Sequence, residues 1–368
     1  MAIKKKYGAV ALYSGGLDST VAPILSQASI DREILLLMID LGMQEGSIKR
    51  ASERAKILDM DFHIIDGKKE FSEIFLSEAV KMNGSYWGYP LITPLSRAYM
   101  VSKAFKFLDE DLNGVKFLIH GCTLNQNTRY RIEKHCRLRP DVIPLGPFTE
   151  NHLTREEKIQ ILEKRGIKTG PGSEIGEDET IFGRAIEGQP LNYLDDVEKK
   201  DFFLRIKDIE ECPDSPSFIS LLFKDGRPIN CDGKNIGLDK IVARCLEIGN
   251  NNGVGRIGVF EDTIPELGYK QFGIFESSPS EILYCAHRFI EAAVFNKLER
   301  EIKRQLDHQW AEIIYRGGWF DRDRKEISAF CDHFEKKVNG KVVLKVYKGN
   351  VSVKQAQIPG CRLADISY

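Results

Sequence analysis

Seven consecutive residues near the start of the chain, Ser14-Gly15-Gly16-Leu17-Asp18-Ser19-Thr20, bring together three hydroxyls, two glycines and a carboxylate. An apolar stretch ending in Tyr13 precedes them and a helix-like stretch follows. Such a run suits an anion. The two glycines are expected to take positive φ and let the backbone approach a ligand closely. Free N–H groups of the helix's first turn, with the hydroxyls of Ser14, Ser19 and Thr20, then face phosphate oxygens. The run is not G-x-x-x-x-G-K-[ST], in which a lysine reaches the phosphates. It carries Asp18 at that end, and a carboxylate beside phosphates makes chemical sense when Mg²⁺ lies between them. The plainer alternative is a strand-to-helix turn with an Asp/Ser cap. Strand, loop and helix together favour the phosphate site.

Positioning such a loop takes a sheet. Strand-like runs are expected at 9–13, 34–40, 62–66, 116–120 and 142–145, with helix-like stretches at 18–28, 46–58, 69–82 and 95–108. This alternation predicts an α/β fold, a parallel doubly wound sheet with helices on both faces. The run ILLLMID at 34–40 is almost wholly apolar, as in strands covered on both sides. Ligands of such sheets bind beyond the carboxyl ends of the strands. Residues 14–18, 40–42 and 121–123 all fall at such ends. A helix over 154–165 is expected to open with a capping box, Thr154 with Glu157.

The composition shifts after Gly166. Residues 169–192 are glycine-rich and acidic and read as a long functional loop or hinge. Beyond them come a strand pair near 218–223 and 227–229, a helix at 238–248 and a strand at 256–261. One long helix from about 280 to 309 follows, then a hairpin of 341–347 and 350–354 turning at Lys348-Gly349. The second part is α+β, so the expected domains are 1–168 and 169–368.

A net charge of −1 gives no global pull toward nucleic acid or an anionic membrane. None of the eight cysteines forms a C-x-x-C pair or a His/Cys cluster, so a structural zinc site is not expected. No run of about 20 apolar residues is present to span a bilayer. The opening MAIKKKYGAVALYSGG has a basic end, but its apolar run is too short for a leader. A cytoplasmic setting with reduced thiols is therefore expected.

The pattern SGGLDS resembles the PP-loop of the ATP pyrophosphatases, which cleave ATP to AMP and pyrophosphate. Further segments extend the resemblance to the argininosuccinate synthase family. They are YSGGLDST (13–20), IDLG (39–42), YPLITPLSR (89–97), HGCT (120–123), DETIFGRAIEG (178–188), GVGRIGVFED (253–262), ILYCAHR (282–288) and VYKGNVSV (346–353), in the family's order. The resemblance implies an adenine nucleotide alpha hydrolase-like domain with a synthetase domain. It implies a reaction in which ATP adenylates the ureido oxygen of citrulline and the amine of aspartate displaces AMP. ATP contacts are then expected from Tyr13, Ser14, Gly15, Gly16, Asp18, Ser19, Thr20, Asp40, Arg97 and Gly121, with Asp18 and Ser19 catalytic and Asp18 reaching Mg²⁺ indirectly.

On the substrate side the family's GCTGKGNDQVRFE appears as GCTLNQNTRYRIE at 121–133. Thr123 and Asn127 match positions that hold the aspartate side-chain carboxylate. The family's next residue, an aspartate that meets the α-ammonium, is Thr128 here. A hydroxyl accepts a hydrogen bond from an ammonium but does not neutralise it. On the citrulline side Tyr89, Thr93, Arg131 and Glu261 are expected to bind, with Arg131 suited to a carboxylate and Glu261 to an ammonium. Family hydroxyls align with Gly176, Ala185, Pro94 and Phe275, which carry none. Several such losses in one pocket predict altered substrates, each contact being worth about 0.5–1.5 kcal/mol. The chain ends at Tyr368, where the family usually continues into an arm that helps hold a tetramer. A reduced arm is expected, leaving dimer or tetramer open.

His120 is read as a packed strand-end residue rather than a general base, and Cys122 as a buried thiol. Tyr86, Trp87, Tyr89 and Tyr99 are read as packing rather than a base-stacking platform. The basic run 129–139 is read as a solvated helix face and not an RNA surface. The expected activity is an AMP-forming C–N ligase acting on small amino-acid-like molecules, without nucleic acid or membrane partners. The rivals are argininosuccinate synthase activity itself and a PP-loop enzyme acting on tRNA. Thiolases of the latter kind carry paired catalytic cysteines, and none are evident.

Overall fold

Short apolar runs pair side by side in the first part of the chain. The computed structural model describes residues 7–112, 114–150, 152–168, 176–188, 191, 193–194, 202–264, 268 and 270–361. Strands β1 (Tyr7–Leu12), β2 (Glu33–Asp40), β3 (Phe62–Asp66), β4 (Phe117–Ile119) and β5 (Ile143–Leu145) form one sheet in the order β3-β2-β1-β4-β5. Every pairing is parallel, with Val10 of β1 opposite Leu35 on one side and Leu118 on the other. Helices Leu17–Ser26, Glu45–Ile57 and Ile92–Asp111 connect successive strands, as βαβ crossovers require. Ala9, Ala11, Val21, Leu36, Met38, Ala51, Ala55 and Leu162 build a core on this sheet. The chain order reverses between β1 and β4, so the loops after these two strands open at the switch point where doubly wound sheets bind ligands.

The chain forms two compact units. The first takes residues up to Gly67, then Ser96–Glu179 and Asp262–Gln271. The second takes Lys68–Leu95, Thr180–Glu261 and the residues from Phe272 on. Further along the chain, β6 (Gly176–Thr180), β7 (Gly183–Glu187), β8 (Ser217–Lys224), β9 (Arg227–Cys231), β10 (Arg256–Asp262), β11 (Lys270–Glu276), β12 (Gly340–Tyr347) and β13 (Asn350–Gln357) contribute to sheets ordered β10-β11-β7-β6 and β13-β12-β8-β9.

Several sequence expectations need correcting. The glycine-rich segment 169–192 is not one loop, because β6 and β7 lie within it; residues 169–175, 189–190 and 192 of it lie outside the described residues. Its polar composition hid the strands, since neither carries an apolar alternation. The single helix from 280 to 309 is two, Ser278–Val294 and Lys297–Tyr315. Asn296 breaks it, its side chain accepting from Glu299 N–H while the Glu299 carboxylate accepts from Asn296 N–H. The stretch 69–82 contains a π-helical turn at Ser72–Leu76 between two α-helical turns. The capping box at Thr154 is present and starts helix Arg155–Glu163.

Buried charge holds the helices of the second unit together. The Lys303 ammonium lies 2.6 Å from Asp307, 3.1 Å from Glu291 and 3.4 Å from Glu335. His287 bonds Glu335 at 2.9 Å and Asn83 at 3.0 Å. Burial lowers the His287 pKa, but Glu335 and Glu291 outweigh it and leave the ring above its ordinary value. Burial pushes Asp307 up to about 7 against the pull of Lys303. His287, Glu291 and Glu335 have the donor types of a metal site. Lys303 supplies their balancing charge.

Candidate functional site

The turn after β1 is held from within. Thr20 Oγ1 donates to the Gly16 carbonyl at 2.6 Å, and the hydroxyls of Ser14 and Ser19 bond one another at 3.0 Å. Gly15 has φ +72°, and a β-carbon there would lie 2.6 Å from Ala51 Cα. Gly16 corrects the sequence expectation: it caps the helix at φ −75°, in extended backbone that any residue adopts. Only the first glycine takes positive φ, because it alone turns the chain under helix Glu45–Ile57. That helix also braces the loop. Arg54 donates to the Gly15 carbonyl at 2.7 Å, and the Tyr13 hydroxyl donates to the Ala51 carbonyl at 3.1 Å. Sequence reasoning missed Arg54, since nothing in its spacing ties it to residue 15.

Asp18, in the first turn of helix Leu17–Ser26, accepts from Lys158 Nζ at 2.8 Å. Lys158 was also missed. Its ammonium sits against one oxygen of the Asp18 carboxylate and balances part of its charge. Gly121, after β4, packs on the same turn, where a β-carbon would meet Asp18 and Ser19 backbone at 2.7–2.8 Å. Asp40 ends β2, and its Oδ1 accepts from the N–H groups of Gly42 and Met43 at 2.8 and 3.0 Å. Arg97 pairs with Asp178 of β6, the strand that Gly176 begins. Tyr13, Ser14, Ser19, Asp40 and Gly121 thus sit at the carboxyl ends of neighbouring strands or on the first helical turn after them.

Helix Asn127–Cys136 follows β4 and carries Asn127, Thr128 and Arg131. Both ends of the Asn127 amide are engaged: Nδ2 donates to the Asp262 carbonyl at 2.9 Å, and Oδ1 accepts from Ile264 N–H at 2.7 Å. Thr123 N–H donates to Gln126 Oε1 at 3.0 Å. Arg131 is buried and Thr128 is half-buried. His120 Nδ1 accepts weakly from Cys122 N–H at 3.4 Å, and Glu133 lies 3.8 Å from its Nε2. Burial, with Arg129 nearby, lowers His120 to about 4, and burial pushes the Cys122 thiol up to about 12. Neither is poised for acid–base or redox work near neutrality.

The second unit holds the other expected substrate residues. The Tyr89 hydroxyl accepts from Thr93 N–H at 3.1 Å, and the Tyr89 ring lies 4.3 Å from that of Phe275. Phe275 of β11 is registered opposite Ala185 of β7. Glu261 is buried on β10, and a β-carbon on Gly273 would lie 3.5 Å from its Oε1. Where the resemblance puts a tyrosine hydroxyl and a serine, this unit therefore has a close aromatic pair and a methyl group.

Residues 9–168 match the arginosuccinate synthase N-terminal HUP domain, and 176–360 match the arginosuccinate synthase C-terminal domain. The argininosuccinate synthase of Methanococcus maripaludis is 32% identical over 94% of this chain and 87% of its own length. Those of Methanocaldococcus jannaschii and Pyrococcus furiosus are also 32% identical, each over 94% of this chain, and over 87% and 83% of their own lengths. No helix among the described residues is long and apolar enough to cross a membrane.

Proposed function

The chain belongs to the argininosuccinate synthase family and is an ATP-dependent C–N ligase, and from this we propose that it joins an altered amine donor to a citrulline-like acceptor. The acceptor's ureido or carboxyl oxygen bonds to the α-phosphorus of ATP. The bond from that phosphorus to the bridging oxygen breaks, and pyrophosphate leaves with the electron pair. The donor amine then attacks the activated carbon, loses a proton, and AMP departs with the carbon–oxygen electron pair. The chain's part is orientation and stabilisation of developing charge, with no covalent nucleophile. Small-molecule amino-acid-like substrates in a cytoplasmic setting fit this reading.

The observation that carries the altered donor is the engaged amide of Asn127 beside the uncharged Thr128. Asn127 spends both its amide ends on backbone at 262–264, leaving less for a donor carboxylate. At 128 an α-ammonium would meet a hydroxyl, and a desolvated charge without a counter-ion costs several kcal/mol. A donor without that ammonium removes the conflict. The test compares the native chain with Thr128→Asp, assayed with citrulline and aspartate. The native chain is expected to make little argininosuccinate and Thr128→Asp more. A native kcat/KM of about 10⁴ M⁻¹s⁻¹ or above, within the ordinary enzyme range, assigns it argininosuccinate synthase activity and ends the altered-donor reading.

A further inference from the structure

The lysine absent from the phosphate loop in sequence is present in space. Lys158 belongs to helix Arg155–Glu163, whose start is fixed by the Thr154 capping box, and its Nζ donates to Asp18 Oδ1 at 2.8 Å. Its side chain is 7% exposed against 35% for Asp18. The ammonium also rides over the buried Phe148 ring, 4.3 Å from the centroid. An aromatic face attracts a cation, most strongly where water is excluded. A single part-exposed carboxylate offsets the desolvation of a buried ammonium incompletely. The result is a cation held against the first turn of helix Leu17–Ser26. There the free N–H groups of the helix and the hydroxyls of Ser14 and Ser19 already favour an anion. An ionic group kept so dry beside an anion-binding turn gains most when the anion arrives.

We propose that Lys158 is the phosphate-binding cation of this loop and that Asp18 is its positioning residue. The inference rests on the ATP-cleaving reading above. Lys158 takes the β- and γ-phosphates of ATP and keeps hold of the pyrophosphate as the bond to the α-phosphorus breaks. The electron pair of that bond moves onto the pyrophosphate oxygen, and the ammonium donates hydrogen bonds to the new charge without giving up a proton. Asp18 fixes where the ammonium stands before the nucleotide binds. Positive charge at the phosphates is thus supplied by a side chain on another helix, beside the Asp18 that the sequence reading placed near Mg²⁺ only indirectly.

Titration calorimetry on the full chain tests this, with inorganic pyrophosphate and AMP as probes and EDTA present. Lys158→Met is expected to weaken pyrophosphate binding roughly 10- to 100-fold, the value of one charge-assisted hydrogen bond or more, and to leave AMP affinity unchanged. Lys158→Arg is expected to restore most of the loss. Asp18→Asn frees the lysine from its carboxylate and is expected to hold or tighten pyrophosphate. Native pyrophosphate affinity in Lys158→Met overturns the inference and leaves the ligase reading intact. Equal loss of both probes without rescue by arginine marks Lys158 as a packing residue and overturns it too. A native chain that binds neither probe brings down both readings.

Discussion

Gly121 and Asp18 meet through their backbones alone, with a β-carbon at 121 falling 2.7 Å from the Asp18 carbonyl carbon. At this point the loop after β4 therefore packs its backbone on the turn after β1. Gly121→Ala must push the first turn of helix Leu17–Ser26 aside. ATP affinity is expected to fall by about 10-fold or more, since displacement of a preorganised site by even about 1 Å is costly. Calorimetry with ATP, alongside a thermal melt to check folding, reads the effect.

The glycines of the turn separate in the same measurement. Gly15→Ala meets both a positive φ and the Ala51 backbone at 2.6 Å, so it is expected to destabilise the fold by at least about 1 kcal/mol and to weaken ATP. Gly16→Ala meets the Ser14 hydroxyl at 3.3 Å and the Ser19 hydroxyl at 3.8 Å in permitted backbone, and its melting temperature is expected to stay near native. Equal destabilisation by the two variants contradicts the assigned backbone.

His120 ties stability to acid. Unfolded, the ring titrates near pH 6.5; folded, burial with Arg129 nearby lowers it to about 4. Between those values the unfolded chain binds the proton and the folded chain does not. The stability attached to neutral His120 is complete above pH 6.5, declines toward pH 4 and then levels. The slope within that window is up to about 1.4 kcal/mol per pH unit. Urea unfolding of native chain and His120→Asn at several pH values is expected to show a shallower acid slope in the variant. Parallel slopes remove His120 as the cause.

Lys303 is the hub of its buried network, so Lys303→Met strands Asp307, Glu291 and Glu335 together. A loss of about 3–5 kcal/mol is expected, as for breaking a buried pair from one side. Adding Glu335→Gln to Lys303→Met is expected to recover part of it. Urea midpoints measure both, and additivity of the two changes excludes the coupling.

The parallel sheet was legible because β1 and the interior of β2 are apolar runs, and the stretches between the strands are long enough for helices. β6, with Glu177, Asp178 and Glu179 in a row, offered no such signal. β11 and helix Arg322–Glu335 went unassigned, and a long run of helix formers masked the break at Asn296 although its cap residues were in plain view. The turn after β1 was readable as a strand-to-helix junction since its residues are contiguous. Arg54 and Lys158 were not, because their roles arise only when separate helices meet the turn. Asn127 shows the same limit in reverse. Its type suits a carboxylate, and only the fold reveals that its amide serves residues 262–264.

The polypeptide passes from one compact unit to the other at 67/68, 95/96, 179/180, 261/262 and 271/272. A gene cut at any one of these points yields two fragments, at least one of which lacks segments its own unit requires. Neither unit can be expressed as a single uninterrupted stretch of native sequence, nor exchanged with a relative's by one crossover. Recombination within this chain must therefore swap several segments in concert, and a split version would need its pieces to fold only on meeting.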